Sequence, residues 1–534
     1  MLRTSGVISS NFIMYNIVFF TDVTDNIASI PAIGAYKLAH VLRKNNYKVL
    51  VVNHFSDYSL SELKSILEVA VSDCTMLVGF STTFFRSINV DKNPGQPTPP
   101  YPDLDPDTFC PQGKDFETEL IELLHQQNSQ IKILVGGTKV SAYYSNKNVD
   151  YVCLGYGEIS VLNLADHLFH KKDLVKSYKN IWGITVIDDR MAPDYKFQHE
   201  DMQWLPEDVV NHKTLPIEIA RGCIFQCKFC SYPMNGKQNL DFVKSEQNIF
   251  KELQRNYHDF GIENYLMVDD TFNDHPDKLV TMRNIIKRLD FQPKFWGYHR
   301  LDLICTRPST LPILHDIGVR SMYFGIETMH TETAKIIGKG FDRHKQISML
   351  ELIRKKYPDI SIHGSFIVGL PKESEDNVFK THTQLISQEI PLHSWQFQGL
   401  LLTKKEFQTY NSEFDLNYLK YDYQEQESSG SKYINWRNQY FTASHAAELA
   451  SQFRQESYVS NKLHLSGLLS LMIGTMNHPE YSFESNWKTL FKDFDFNFIE
   501  HTVRTNFVED YKKKLLQIVN KQWRRGETVY SSVS

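Results

Sequence analysis

Long apolar runs and a secretory leader are both missing from this sequence. No run approaches the roughly 20 apolar residues that a membrane-spanning helix needs. The N-terminus lacks the charged-then-apolar layout of a signal peptide. Cysteine is scarce, with 7 residues in a chain of 534, so a disulfide framework is not expected. These absences predict a protein of the reducing cytoplasm that does not attach to membranes.

A dominant charge and a dinucleotide fingerprint are absent as well. The formal net charge of −5 arises from 58 basic and 63 acidic residues, so it gives no general attraction to nucleic acid or anionic lipid. No G-x-G-x-x-G follows the first predicted strand, which argues against a dinucleotide site. Apolar residues are plentiful, at 41% of the chain. They suffice for the cores of about three domains, the number that the length suggests.

Three of the cysteines stand close together. Cys223, Cys227 and Cys230 form a C-x₃-C-x₂-C run directly after a strand-like segment. Thiolates at this spacing can bind three irons of a [4Fe–4S] cube and leave the fourth iron open, whereas electron-transfer clusters usually have four cysteine ligands. Zinc is the alternative, but a zinc site usually takes four ligands, often as two cysteine pairs. The remaining cysteines stand singly, at Cys74, Cys110, Cys153 and Cys305.

With Phe229 directly before the third cysteine, the run resembles the signature of radical S-adenosylmethionine (SAM) enzymes. The resemblance implies that SAM binds the open iron through its amino and carboxylate groups. One electron from the cluster then cleaves SAM to a 5′-deoxyadenosyl radical. It also implies an external electron donor, such as flavodoxin or ferredoxin. The sequence does not identify the substrate, which we expect to be a small molecule or a peptide.

Short apolar strands alternate with helix-length segments in the N-terminal third. A helix is predicted over Ile33–Lys44, because apolar residues recur there at helical spacing. Strands are predicted over residues 16–22, 47–53, 75–81, 131–135 and 151–154. Buried strands separated by helices predict a parallel, doubly wound α/β sheet, whose ligands bind at the carboxyl ends of the strands.

Small and polar residues follow these predicted strands. The candidates for ligand binding are Ser81, Thr82, Thr83, Gly136, Gly137, Gly155 and Gly157. The layout resembles the cobalamin (B12)-binding domain that precedes the barrel in one radical SAM subgroup. The resemblance implies cobalamin at this edge, although such a domain can also persist as a scaffold without it. Residues 21–28 contain no histidine, so no histidine ligand to cobalt is expected from that loop.

A proline-rich stretch interrupts this domain. Residues 93–112 hold 7 prolines. Proline fixes φ and removes a backbone donor, so we predict a surface loop. Since it follows the third strand, it either covers the ligand edge or is a solvated excursion.

The alternation of strands and helices resumes in the middle third. Strands are predicted over residues 217–221, 265–268, 294–298, 321–325, 360–368 and 395–401. Six such units resemble the (β/α)₆ partial barrel of radical SAM enzymes. Sites of parallel barrels lie at the carboxyl ends of the strands, so polar residues at those ends are candidate ligands.

The resemblance then assigns roles in SAM binding by position. Asp269 or Asp270, after the second strand, would meet the amino group, and Glu327, at the fourth, would meet the ribose or the methionine part. Phe229 and the turn with Ile367 and Gly369, after the fifth strand, would lie against the adenine. Ser365 departs from the family pattern, which often has glycine there. Arg300, at the end of the third strand, is counted among the SAM contacts as well.

The complete prediction divides the chain into five parts. They are a loose extension (1–13), a cobalamin-binding-type domain (14–170), a connector (171–213), a partial barrel (214–403) and a mainly helical C-terminal domain (404–534). Helices are predicted over residues 443–455 and 463–476 in the last part. The basic residues of the final helix could meet phosphate groups, but cations near a helix C-terminus are favourable in themselves.

The predicted function is a cobalamin-dependent radical SAM methyltransferase. By the resemblance, the deoxyadenosyl radical takes hydrogen from an unactivated carbon, methylcobalamin delivers a methyl group there, and a second SAM remethylates cobalt. One alternative is radical SAM cyclisation, rearrangement or sulfur insertion, with the N-terminal domain as a scaffold. A non-catalytic corrinoid or redox sensor is the alternative from another class.

Overall fold

The computed structural model describes most of the chain. The described residues are 15–22, 30–84, 116–137, 140–143, 146–190, 195–232, 236–237, 239–340, 342–405, 410–426, 433–459 and 507–521. The predicted extension 1–13, the proline-rich loop 93–112, most of the 21–28 loop and the predicted helix 463–476 lie outside them. None of the described helices is both long and apolar enough to cross a membrane.

The described chain forms two compact units. The first comprises Met1–Tyr195, Gln203–His212 and Glu500–Ser534, and the second comprises Lys196–Met202 and Lys213–Ile499. Of the described C-terminal residues, 410–426 and 433–459 therefore belong to the second unit and 507–521 to the first.

The first unit is built on a seven-stranded sheet. Its strands are β1 (Ile17–Phe20), β2 (Val49–Val52), β3 (Leu77–Ser81), β4 (Lys132–Gly136), β5 (Tyr151–Gly155), β6 (Ser177–Lys179) and β7 (Thr185–Asp189). The order is β2-β1-β3-β4-β5-β7-β6, and all pairs are parallel except β6 with β7. The predicted doubly wound parallel sheet is confirmed, and the predicted connector supplies the two strands at one edge.

Helices cover this sheet and complete its core. They are α1 (Ile33–Lys44), α2 (Leu60–Ala70), α3 (Phe116–Gln127), α4 (Gly157–His170), α5 (Pro206–Val209) and the helix 507–521. The 507–521 helix buries Tyr511, Leu515 and Val519 in the same core as the strands. Its Lys512 pairs with Glu62 at 3.1 Å. Lys512, one of the basic residues of this helix, thus makes an ion pair within the first unit.

The second unit is built on an open six-stranded parallel sheet. Its strands are β8 (Thr214–Ile217), β9 (Asn264–Met267), β10 (Lys294–His299), β11 (Val319–Glu327), β12 (Ser361–Val368) and β13 (Ser394–Gly399). They lie in chain order from β8 to β13. Consecutive parallel strands need crossover connections, which helices supply. The predicted (β/α)₆ arrangement is confirmed, and every strand end that carries a candidate residue lies at one edge of the sheet.

The helices of the second unit connect and follow these strands. They are α6 (Glu246–Phe260), α7 (Pro276–Ile286), α8 (Leu301–Thr306), α9 (Thr310–Ile317), α10 (Thr331–Ile337), α11 (Arg343–Lys356), α12 (Glu375–Ile386), α13 (Glu413–Asn417) and α14 (Ala443–Val459). Two short strands, β14 (Gln424–Glu425) and β15 (Trp436–Arg437), pair antiparallel between α13 and α14.

The first barrel strand lies earlier in the chain than predicted. The first barrel strand was predicted over 217–221, but β8 ends at Ile217 and begins at Thr214. Pro216 lies inside it, which is tolerated because β8 is an edge strand that pairs only with β9 in the described sheet. The segment after Ile217 leaves the ladder and leads into the cysteine run.

Candidate functional site

The cysteine loop follows β8 and is tied down by short-range contacts. The Cys223 thiol is buried and donates to Thr271 Oγ1 at 3.5 Å, while the Phe225 N–H donates to the Cys223 sulfur at 3.5 Å. Burial raises the pKa of Cys223, and these two hydrogen bonds oppose the rise. The Cys230 N–H donates to the Cys227 carbonyl at 3.0 Å. One loop therefore carries all three sulfurs.

Cys227 receives a charged donor. Arg300 Nη1 donates to Cys227 Sγ at 3.3 Å, and the guanidinium lies 3.9 Å from the centre of the Phe225 ring. Arg300 also forms an ion pair with the Asp302 carboxylate, in which Nη2 lies 2.6 Å from Oδ2. Sequence reasoning assigned Arg300 to SAM, and the structure places its side chain against the cysteine loop.

The donor set suits thiolates that bind an iron–sulfur cluster. Sulfur ligands of such clusters are stabilised by N–H donors of the kind that Phe225 and Arg300 provide. Within the described residues, no three His, Cys, Asp or Glu side chains converge on a point where one ion would be held. Three thiolates that each bind a different iron of a cube do not require such convergence. The three cysteines accordingly fit a [4Fe–4S] cluster.

The two aspartates after β9 occupy different environments. Asp269 Oδ1 accepts the N–H groups of Ile219 and Ala220, at 2.8 and 3.0 Å, and its Oδ2 lies 3.4 Å from Lys278 Nζ. Asp269 thus holds the segment that leads into the cysteine loop. No described residue makes a hydrogen bond to the Asp270 carboxyl. Burial, and secondly the charge of Asp269, raise the pKa of Asp270 to about 7.

Glu327 lies at the end of β11 in a strained backbone conformation. Its φ is +68°, and the register of β11 on β12 shifts between Gly325 and Glu327. Ser365 donates to Glu327 Oε2 at 3.3 Å, and Lys339 Nζ lies 3.6 Å from Oε1. Burial raises the pKa of Glu327, and Lys339 opposes the rise. A residue other than glycine at positive φ is uncommon and often marks a functional site.

The turn after β12 is held by the segment that follows the barrel. We call the described residues 410–426 and 433–459 the C-terminal segment. Gly369 has φ +97°, and a Cβ there would lie 2.4 Å from Trp436 Cη2. The Gly369 carbonyl accepts the Tyr423 hydroxyl at 2.8 Å and Asn438 Nδ2 at 3.1 Å. Ile367, two residues earlier, is partly exposed.

Tyr423 and Asn438 were not among the residues that the sequence predicted for this site. The sequence signal that could have indicated Tyr423 is the aromatic character of this segment, and Asn438 carries no such signal. The segment also reaches the cysteine loop, since the Phe414 N–H donates to the Lys228 carbonyl at 2.9 Å. The C-terminal segment therefore contacts two parts of the candidate site.

Phe229 completes the described site around the cysteines. Lys339 Nζ lies 5.9 Å from the centre of the Phe229 ring. The Lys228 N–H donates to the Ile337 carbonyl at 3.0 Å, which fastens the cysteine loop to the end of α10. The structure thus places Asp270, Arg300 and Glu327 at the carboxyl ends of β9, β10 and β11, the same edge of the sheet from which the cysteine loop with Phe229 begins.

In the first unit, the predicted cobalamin residues lie together at the carboxyl ends of β3, β4 and β5. Thr82 Oγ1 donates to the Gly136 carbonyl at 2.9 Å and links two of these ends. Ser81 and Thr83 are partly exposed beside it, and Gly137 is exposed. The edge therefore offers hydroxyl groups and accessible backbone.

The glycines at this edge differ in backbone conformation and in the space available for a side chain. Gly137 has φ +102° and a Cβ would lie 2.8 Å from Thr83 N, while Gly155 has φ +87° and a Cβ would meet Arg190 N at 2.5 Å. At Gly157 a Cβ would lie 2.8 Å from Leu38 Cδ2. The fold itself thus requires Gly137 and Gly155, which have positive φ and meet backbone atoms, so these two say little about a ligand. At Gly157 the contact is with the end of a flexible leucine side chain, which can move aside. At Gly136 the nearest atom is 3.9 Å away, so the fold leaves room for a side chain.

Comparisons with known proteins agree with the sequence resemblance. Residues 217–385 match the radical SAM superfamily. An uncharacterized methyltransferase of Pyrococcus horikoshii is 25% identical over 260 residues, which are 44% of this chain and 52% of that protein. The ribosomal protein uS12 methylthiotransferase RimO of Thermodesulfovibrio yellowstonii is 25% identical over 170 residues, which are 30% of this chain and 38% of that protein. The chain thus spans about half or less of the length of these relatives.

Solved structures share the fold over most of the chain. TsrM of Kitasatospora setae, a radical SAM methyltransferase with cobalamin and a [4Fe–4S] cluster bound, has a TM-score of 0.60 at 11% identity, covering 95% of this chain and 100% of TsrM. The cobalamin-dependent SAM radical enzyme OxsB, with aqua-cobalamin and SAM bound, has a TM-score of 0.58 at 15% identity, covering 97% of this chain and 81% of OxsB. At these identities the likeness is one of fold.

Proposed function

We propose that this chain, in which residues 217–385 match the radical SAM superfamily, is a cobalamin-dependent radical SAM enzyme that transfers a methyl group to an unactivated carbon. The observation that carries the proposal is the cysteine loop. It presents three sulfurs, and described N–H donors reach two of them. It also lies among the strand ends at which SAM is expected.

Cys223, Cys227 and Cys230 would hold the cluster, which would supply the electron for the reductive cleavage of SAM to a 5′-deoxyadenosyl radical. The remaining roles belong to the protein. Asp270 would provide, for the SAM amino group, a carboxyl that accepts no hydrogen bond from the described residues. Lys339 and Ser365 orient the Glu327 carboxyl toward the hydroxyl or ammonium groups of SAM. Since Asp269 is occupied by backbone N–H groups, we assign the amino contact to Asp270.

The turn at Gly369 would form the wall beside the adenine. Its carbonyl is turned toward Tyr423 and Asn438, so the backbone conformation is fixed before SAM arrives. Fixing a site in advance lowers the entropy lost on binding. The C-terminal segment thereby contributes to SAM binding without having to touch the cofactor.

The methyl-transfer half of the proposal rests on the first unit. Cobalamin would bind at the edge formed by Ser81–Thr83, Gly136–Gly137 and Gly155–Gly157, where it would serve as the carrier of the methyl group. Support comes from the shared fold with two structures that contain cobalamin. The absence of histidine in residues 21–28 leads us to propose that this loop provides no ligand to cobalt.

An anaerobic assay of reconstituted protein with SAM and a one-electron reductant tests the proposal. The expected products are 5′-deoxyadenosine from radical cleavage and S-adenosylhomocysteine from methyl transfer, with corrinoid retained on the protein. Replacing any one of Cys223, Cys227 or Cys230 with alanine should abolish the first product. The matched controls are the cysteines outside the loop, Cys74, Cys153 and Cys305, whose replacement should preserve it.

The same assay distinguishes the alternatives. 5′-Deoxyadenosine without S-adenosylhomocysteine or corrinoid would indicate cyclisation, rearrangement or sulfur insertion, with the first unit as a scaffold. Bound corrinoid without any SAM cleavage would indicate a sensor. Tight zinc with no iron spectrum would reject the cluster and with it the whole proposal.

A further inference from the structure

A buried arginine connects the third strand end to one cysteine of the loop. The Arg300 residue is 4% exposed, and its guanidinium uses different nitrogens for different partners. Nε and Nη2 donate to the two oxygens of Asp302, at 3.0 and 2.6 Å, and Nη1 donates to Cys227 Sγ at 3.3 Å. One planar group thus bridges a carboxylate and a sulfur.

The position of this guanidinium is fixed from several sides. Asn273 accepts the Arg300 N–H at 2.8 Å and donates to the Arg300 carbonyl at 2.9 Å, which locks the backbone. Asp302 also accepts the Gly340 N–H at 3.0 Å, and the Phe225 ring lies under the guanidinium. An arginine held in this way loses little conformational freedom when it donates to a third partner.

We propose that Arg300 tunes the cluster: its hydrogen bond to the Cys227 sulfur stabilises the reduced form, so that Arg300 sets the potential at which the cluster accepts an electron. The inference rests on the proposed function, since it takes Cys227 as a cluster ligand. It differs from the SAM contact that the sequence resemblance suggested for this residue.

The physical reason is the change of charge on reduction. An external one-electron donor is oxidised as [4Fe–4S]²⁺ becomes [4Fe–4S]⁺, and no bond is made or broken and no proton moves. The added electron increases the negative charge shared by the sulfur ligands. A charged N–H donor therefore binds the reduced cluster more strongly than the oxidised one, and hydrogen bonds to the sulfurs raise the reduction potential.

The contact is stronger than its counterpart at Cys223. The Cys223 sulfur accepts a neutral backbone N–H from Phe225 at 3.5 Å, whereas the partly buried Cys227 sulfur accepts a charged donor, from the buried Arg300, at 3.3 Å. Charge-assisted hydrogen bonds are roughly twice as strong as neutral ones. Of these two described donors, Arg300 is therefore the one expected to dominate.

The test is a redox titration of reconstituted full-length protein, followed by electron paramagnetic resonance of the reduced cluster. In Arg300→Gln, the ratio of reduced to oxidised cluster at a fixed potential should fall about tenfold, which equals a shift of about 59 mV for one electron. Arg300→Lys keeps the charge but cannot bridge Asp302 and Cys227 together, so its ratio should fall between wild type and Arg300→Gln. The control is Arg320→Gln, because Arg320 pairs with Asp359 at the other end of β11.

A second readout reports the hydrogen bond directly. Electron–nuclear double resonance of the reduced wild type should show an exchangeable proton coupled to the cluster that is missing in Arg300→Gln. Iron content is measured first, and if Arg300→Gln takes up less iron, the comparison of Arg300→Lys with wild type decides. Equal ratios in wild type and Arg300→Gln, or in wild type and Arg300→Lys, would overturn the inference. A wild type that binds no iron would instead reject the proposed function.

Discussion

The Tyr423 hydroxyl donates to the Gly369 carbonyl at 2.8 Å, across 54 residues of sequence. Gly369 belongs to the turn that follows β12, and Tyr423 belongs to the irregular segment after the barrel. Trp436 fills the space beside the same glycine, so tight packing and a hydrogen bond act on one peptide unit. The segment after the barrel therefore sets the conformation of a turn that we propose lies beside the adenine of SAM.

Replacing Tyr423 tests this relationship. Tyr423→Phe removes the hydroxyl and keeps the ring, so we expect a loss of about 1 kcal/mol in stability. Since the turn becomes less fixed, SAM affinity should fall about two- to fivefold, measured by calorimetry on the protein with its cluster. The control is Tyr418→Phe, which removes an exposed hydrogen bond from the Tyr418 hydroxyl to Glu425. Reduced stability with unchanged SAM affinity would restrict the segment to a structural role.

Mutation of the two aspartates after β9 should affect different properties, stability for Asp269 and SAM affinity for Asp270. Asp269→Asn disturbs a buried carboxylate that accepts two backbone N–H groups and faces Lys278, so we expect a loss of about 3 kcal/mol in stability. Asp270→Asn should leave stability near wild type and weaken SAM binding about tenfold. Thermal unfolding and SAM titration measure the two effects. The assignment fails if Asp270→Asn binds SAM as wild type does.

Local patterns in the sequence were enough to predict the two parallel sheets. The apolar spacing of Ile33–Lys44 gives α1 with the predicted bounds, and strand-like runs separated by helices give both parallel sheets. The clustering of candidate side chains also follows, because carboxyl ends of parallel strands share one edge. These features depend on residues that are near one another in the chain.

Contacts between distant residues could not be predicted in this way. Arg300 and Cys227 are 73 residues apart, and their contact depends on how the Asn273 side chain and Asp302 hold the arginine. Asp269 and Asp270 are adjacent and chemically identical, yet the backbone N–H groups of Ile219 and Ala220, together with Lys278, contact the Asp269 carboxylate. Likewise, the sequence indicated glycines for cobalamin that the fold requires for its own packing.

Gly136 offers a cleaner test of cobalamin binding than Gly137. Gly137→Val would force a β-branched side chain into positive φ and against Thr83, so lost binding there would reflect damage to the fold. Gly136→Val has room in the fold and should leave the melting temperature close to wild type. If a corrinoid occupies that space, overpacking of about 1–3 kcal/mol should weaken its binding about tenfold or more.

Titration with hydroxocobalamin, followed by its absorption spectrum, measures this effect. The control is Ser129→Val, an exposed position at the other end of β4. Equal corrinoid affinity in both variants and wild type would place cobalamin elsewhere or remove it from the proposal.

A buried carboxyl after the Gly369 turn should make stability depend on pH. Burial raises the pKa of Glu373 to about 8, although the Thr328 hydroxyl donates to its Oε1 at 2.5 Å. Between about pH 4.5, where the unfolded glutamate ionises, and pH 8, the folded state holds a proton that the unfolded state has lost. Stability from this group is therefore present at low pH and is lost as pH rises through that window.

Glu373→Gln removes this dependence, because the amide stays neutral at every pH in the window. Relative to wild type, the variant should gain about 2 kcal/mol of stability between pH 6 and pH 8, at about 1.4 kcal/mol for each unit of pH below the folded pKa. Thermal unfolding at both pH values measures the gain, and Glu351→Gln, an exposed change on α11, serves as the control. If the stability of wild type and of Glu373→Gln changed equally with pH, Glu373 would be ionised in the folded protein. Only a proton that the folded state retains makes the difference in stability between the two proteins vary with pH.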